Sequence, residues 1–189
     1  MAGAYCDGLW EAGVRCTLKH FPGLGRVFED THRGGASLDI AASELERTDW
    51  VPFRALIGRS GAFTMLGHVT LTAFDRSRPV SFSRPIVAGL LRGDWRDDGI
   101  LITDDFSMGA VYRSGDGIAG AAVEAIDAGV DLILVSYDTD QYYAAMQGLL
   151  RAARDGRLQE KALRQSDRRL IRAGQPDGAA DGPGPPLGR

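Results

Sequence analysis

The chain has 189 residues, with 22 Lys and Arg against 25 Asp and Glu and a formal net charge of −3. The basic residues are scattered and not interleaved with aromatics, which argues against nucleic-acid binding, and no apolar run approaches the ~20 residues of a membrane span. An apolar content of 44% suffices for a buried core, and this length favours one domain.

Met1 to Asp7 lack the charged and apolar regions of a secretory leader, so a cytoplasmic protein is expected. Cys6 and Cys16 make neither a disulfide framework nor a metal-ligand spacing and are read as two buried or idle thiols in a reducing compartment. Residues 5–13 read as the tail of a helix ending at Gly13. Val14 to His20 form the first predicted strand, which ends in Lys19 and His20. Pro22-Gly23-Leu24-Gly25 then turns the chain sharply, and the loop beyond carries Asp30 and His32.

Ser43 or Thr48 can cap the next helix, with Pro52 in its first turn and Trp50, Phe53, Leu56 and Ile57 at helical spacing. Ala62 to Gly67 make the second strand, which delivers His68. Ser83 caps a helix through Leu91. Gly99 to Thr103 is a continuous apolar run of the kind buried on both sides, and it delivers Asp104 and Asp105. An Ala-rich helix spans 117–128, a fourth strand 130–135, and two helices about 140–153 and 158–172. The basic cluster from Arg164 to Arg172 reads as a solvated helix face. Residues 173–189, rich in Gly and Pro, form an expected disordered tail after a domain of residues 1–172. Four strands alternating with helices, each with its polar residues at the same end, predict an α/β fold of parallel βα units.

Lys19-His20-Phe21-Pro22-Gly23-x-Gly25, followed by Asp30-x-His32, resembles the signature of family-3 glycoside hydrolases in their β-N-acetylglucosaminidase branch. Ile102-Thr103-Asp104-Asp105-Phe106-Ser107-Met108 resembles that family's nucleophile motif, in the right order and at about the right distance. The resemblance covers roughly residues 8–172. It implies a (β/α)8 TIM-barrel type fold of which only about four C-terminal βα units are present, since a full barrel takes about 250 residues. It further implies hydrolysis of terminal β-linked N-acetylglucosamine, as in peptidoglycan-derived substrates, by retaining double displacement, with no metal or organic cofactor.

By that resemblance Asp104 is the nucleophile and His32, oriented by Asp30, the general acid/base. An imidazole suits a group that gives and takes a proton near neutral pH. Lys19, His20, His68 and Met108 stand at family positions that bind the sugar. On spacing alone, Asp104 or Asp105 equally suits a helix cap, His68 a satisfied structural histidine and Met108 a core methionine. Leu24 replaces a family histidine, from which altered loop packing follows. Half a barrel exposes strand edges and an apolar interior. The chain is then a truncated gene product, pairs with itself or a missing N-terminal half, or folds marginally. The rival to an enzyme is an incompetent fragment serving as a partner subunit or remnant.

Overall fold

The structure is a computed structural model that describes residues 1–57, 61–112, 117–136 and 139–174. Its strands are β1 (Thr17–Phe21), β2 (Ala36–Leu38), β3 (Phe63–Leu66), β4 (Val69–Leu71), β5 (Leu101–Asp105) and β6 (Leu132–Leu134). Its helices are α1 (Ala2–Glu11), α2 (Ala42–Arg47), α3 (Val51–Leu56), α4 (Gly109–Tyr112), α5 (Gly117–Ala128), α6 (Thr139–Arg154) and α7 (Glu160–Gly174). A short 3-10 turn (Val80–Phe82) leads to a π-helical segment (Pro85–Asp94).

The main sheet has the order β1-β3-β5-β6, with every pair parallel, as the alternation of strands and helices predicts. The register aligns Leu18 with Thr64, Thr64 with Leu101 and Leu66 with Thr103, and these five side chains are all buried. Side chains alternate across a strand, so the intervening Thr17, Phe63, Met65, Ile102 and Asp104 share the other face. Each of those five is half-buried or exposed. One face of this parallel sheet is therefore sealed and the other is open.

The sealed face owes its order to a cluster of rings. Phe21 and Trp50 are fully buried, and their rings stack at 5.8 Å. Phe53 and Trp95 meet the Phe21 ring edge-on at 5.4 and 5.5 Å. Phe21 thus anchors the end of β1 at the residue after His20.

Several local expectations are corrected. Cys6 and Cys16 are not idle thiols: they form a disulfide, because α1 lies over the start of β1 and brings the two Cα atoms to 5.3 Å. Their pairing removes the thiol argument for a reducing compartment. Gly13 does follow α1 in the left-handed conformation (φ 75°), but β1 starts at Thr17, leaving Val14 exposed. The single helix expected after residue 43 is two, α2 and α3, and neither Ser43 nor Thr48 caps a helix start. Thr48 instead closes the end of α2, its hydroxyl donating to the Glu44 carbonyl at 2.7 Å. Ser83 gives its hydroxyl to Asp75 (2.8 Å) and offers only its main-chain carbonyl to the helix start. The parallel pair β2–β4 was not foreseen, since three-residue strands carry too little periodicity to read.

Arg169 departs from the solvated face assigned to Arg164–Arg172. It is buried and donates to Asp131 at 2.9 Å, while Arg92 donates to the other oxygen of that carboxylate at 2.6 Å. Asp131 also accepts from the Leu101 amide and the Ser166 hydroxyl, which ties α7 to the N-terminal ends of β5 and β6. Helix α7 runs through Gly174, so the first two residues of the expected tail are helical. The rest of that tail lies outside the described residues.

Candidate active site

The polar residues singled out in the sequence gather at the C-terminal ends of the strands, where parallel α/β folds bind ligands. Lys19 and His20 end β1, and Asp104 and Asp105 end β5. The chain leaves β3, between them, through Gly67, whose amide donates to the Phe21 carbonyl at 2.9 Å. A Cβ on Gly67 would meet that carbonyl at 3.4 Å and both His20 and Leu24 at 3.5 Å. Leu24 is half-buried there and packs against the core.

His20 Nε2 stands 3.7 Å from Asp104 Oδ2, beyond hydrogen-bond range. Burial lowers the His20 pKa most. Asp104 opposes that shift, while the Lys19 and His32 charges reinforce it. The imidazole is therefore neutral near pH 7. The peptide bonds Lys19–His20 and Phe21–Pro22 are both cis.

The adjacent carboxylates have different fates. Asp105 accepts from the amide and hydroxyl of Ser107 at 2.9 and 2.5 Å, and from the Ser136 amide at 3.2 Å and the Ser136 hydroxyl. Burial pushes its pKa up, but those four bonds outweigh it and hold the pKa below the usual carboxylate value. Asp105 is a clamp between β5 and the end of β6. Asp104 accepts a single hydrogen bond among the described residues, from the Asp105 amide at 2.9 Å, and its side chain remains 15% exposed. Its Oδ2 is thus left to face the site beside a neutral imidazole.

Asp30 and His32 form a unit on the loop after β1. Asp30 Oδ1 accepts from the His32 amide and contacts His32 Nδ1, each at 3.0 Å. The His32 amide bond is the largest cause of the lowered Asp30 pKa, and the imidazole adds to it. With Nδ1 facing a carboxylate, Nδ1 carries the proton in the neutral ring, and Nε2 is the atom that can exchange a proton with a ligand. The His32 ring is 78% exposed. The loop itself is fixed at its root: Arg26 donates to Asp49 at 2.8 Å and pairs with Glu44 at 3.0 Å.

Two assignments change. His68 is 1% exposed, and both its ring nitrogens are used within the chain: Nδ1 meets the Ser81 hydroxyl at 2.7 Å and Nε2 the Asp105 carbonyl at 3.0 Å. No nitrogen remains for a sugar, so His68 supports the end of β5 rather than binding substrate. Met108 is 5% exposed and offers little surface to a ligand. Lys19 is exposed on the open face and keeps its candidate role. Ser81 and Ser136 were not singled out in the sequence. Ser136 follows a predicted strand at its C-terminal end, a placement that marks it; Ser81 has no such signal.

A cavity of about 480 Å³ lies at the opposite end of the strands, lined by Trp10, Arg15, Gly99 and Arg172 among others. Among the described residues no three His, Cys, Asp or Glu converge as a metal site.

Residues 1–173 match the Glycosyl hydrolase family 3 N terminal domain. The chain is 34% identical over 192 residues to Beta-hexosaminidase LpqI of Mycobacterium tuberculosis, covering all of this chain and 47% of that protein. It is 37% identical over 151 residues to a Beta-hexosaminidase of Tolumonas auensis, covering 79% and 44% respectively. A solved family 3 β-N-acetylglucosaminidase from Paenibacillus superposes on 97% of this chain and 35% of its own, with a TM-score of 0.87 and 35% identity. The chain thus spans about half the length of the relatives it matches.

Proposed function

The chain belongs to glycosyl hydrolase family 3, and we propose that it acts as a β-N-acetylhexosaminidase by retaining double displacement. The observation that carries this reading is the asymmetry of the two carboxylates: Asp105 is saturated by serines, while Asp104 keeps an oxygen turned to the site. In the first step Asp104 attacks the anomeric carbon, and the bond to the leaving oxygen breaks as protonated His32 donates its Nε2 proton to that oxygen. In the second, neutral His32 takes a proton from water, the hydroxide attacks the anomeric carbon, and the ester to Asp104 opens. Asp30 holds the His32 ring through Nδ1. Lys19 and His20 take the sugar hydroxyls, and the neutral state of His20 lets it donate to a hydroxyl without pairing tightly to Asp104.

Both named relatives are β-hexosaminidases, which supports terminal β-linked N-acetylglucosamine as the sugar, with peptidoglycan-derived fragments as its source. The open sheet face supports a partial barrel. Parallel sheets are covered on both faces, whereas Phe63, Met65 and Ile102 are only half-buried here. A second half-barrel, either another copy or an N-terminal half, would cover them and supply the remaining pocket wall. The same open face favours a second reading, in which the chain is a non-catalytic partner or remnant of such an enzyme.

A slow 5-fluoro-N-acetylglucosaminyl fluoride tests the role of Asp104. Peptide mass spectrometry should find the sugar esterified to Asp104, and a label on another carboxylate or none at all would count against the proposal.

A further inference from the structure

Asp104 and His32 lie on segments far apart in sequence, and the chain must hold them in register. The His32 amide is taken by Asp30, as described above. Its carbonyl accepts from the Gly109 amide at 3.0 Å. Gly109 opens α4, five residues after Asp104 on the same connection. This contact was not visible in the motifs.

Gly109 is buried, and its φ lies outside the left-handed region, so backbone freedom is not why it is glycine. Space is the reason. A Cβ there would meet the Arg33 carbonyl oxygen at 2.7 Å, the Arg33 carbonyl carbon at 2.9 Å and the His32 carbonyl oxygen at 3.1 Å. These are main-chain atoms, which no rotamer change can move aside. The loop that carries His32 therefore rests on the bare backbone of Gly109, while the ring above is exposed. The support is continuous with the nucleophile strand. Ser107 is bonded to Asp105, the Met108 amide donates to the Asp105 carbonyl at 3.1 Å, and Met108 is buried.

We infer that Gly109 is the positioning residue for the acid/base loop: it sets the distance between His32 and Asp104 by admitting the His32–Arg33 backbone to hydrogen-bond range. This inference rests on the glycosidase reading for the roles of the two side chains, but the docking itself does not. Any side chain at 109 would push the loop off its seat and leave Asp104 in place. The chemical consequence is selective. A 2,4-dinitrophenyl leaving group departs without a proton, whereas an alkyl aglycone needs one from His32.

Two measurements on the full chain test it. In the wild type, hydrogen exchange should find the Gly109 amide protected, and Gly109→Ala should speed exchange across residues 30–34 by about tenfold or more while β3 and β5 keep theirs. An unprotected Gly109 amide, or a loop unmoved by the substitution, would overturn the inference. In turnover, Gly109→Ala should slow a methyl β-N-acetylglucosaminide by a further factor of roughly ten or more beyond its effect on the dinitrophenyl glycoside. Equal losses on both would reduce Gly109 to a structural residue. The exchange arm needs no turnover, so it decides the docking even if Asp104→Ala shows that the glycosidase reading fails.

Discussion

His68 Nε2 donates to the main-chain carbonyl of Asp105 at 3.0 Å, so the second residue after β3 holds the end of β5 one residue beyond Asp104. A carbonyl can only accept, which places the proton on Nε2. Nδ1 then accepts from the Ser81 hydroxyl at 2.7 Å. His68→Ala would leave the buried Ser81 hydroxyl without its partner and the Asp105 carbonyl with only the Met108 amide, at about 1–3 kcal/mol in all. Chemical denaturation should show the loss in stability, and kcat should fall more than KM rises, because Asp104 shifts while Lys19 and His20 stay. A variant with unchanged stability would contradict the supporting role.

Acid should weaken the fold first through His68 and His20. Burial is the largest cause of the lowered pKa at both His68 and His20, although the nearby Asp104 charge opposes it in each. The unfolded chain binds those protons more readily than the folded one below the ordinary histidine value of 6.5. Their contribution is therefore complete above pH 6.5 and is lost as pH falls through the lower folded values. The melting temperature should decline below pH 6.5, and His68→Gln should flatten that decline. Asp105, Asp75 and Asp49, whose pKa values are also lowered, add a second loss below about pH 4.

The Asp131 carboxylate holds Arg92 and Arg169 away from water. Asp131→Ala would take the carboxylate away from two largely buried guanidinium groups and leave Arg92 its carbonyl partners, a loss of about 3 kcal/mol in stability. Denaturant melts of the variant should show it, together with earlier exposure of α7 to protease. A loss under about 1 kcal/mol would mean that water reaches the cluster.

Much of this architecture is legible in the sequence. Apolar runs ending in polar residues give the four main strands and their parallel sense, and the Lys-His-Phe-Pro-Gly and Thr-Asp-Asp segments give the candidate site. What stays hidden depends on contacts remote in sequence. The division of labour between Asp104 and Asp105 turns on Ser136, 31 residues beyond Asp105. The buried fate of Arg169 turns on Asp131, 38 residues away. The disulfide needs α1 folded back on β1, which two cysteines ten residues apart do not announce.

That disulfide gives a prediction of its own. It closes a short loop, and reduction should lower stability by about 2–3 kcal/mol through the freedom returned to the unfolded chain. Cys6→Ser/Cys16→Ser should match the reduced wild type and be insensitive to reductant. Equal melting temperatures for oxidised and reduced wild type would contradict the bond's contribution.

The central claim is that Asp104 attacks the sugar. Release of 4-nitrophenol from its β-N-acetylglucosaminide by the purified chain, beside Asp104→Ala and His32→Ala, tests it most directly. The wild type should turn over, Asp104→Ala should abolish that turnover with a fall of about a thousandfold or more, and His32→Ala should slow it. A folded chain whose turnover is no greater than that of Asp104→Ala would contradict it.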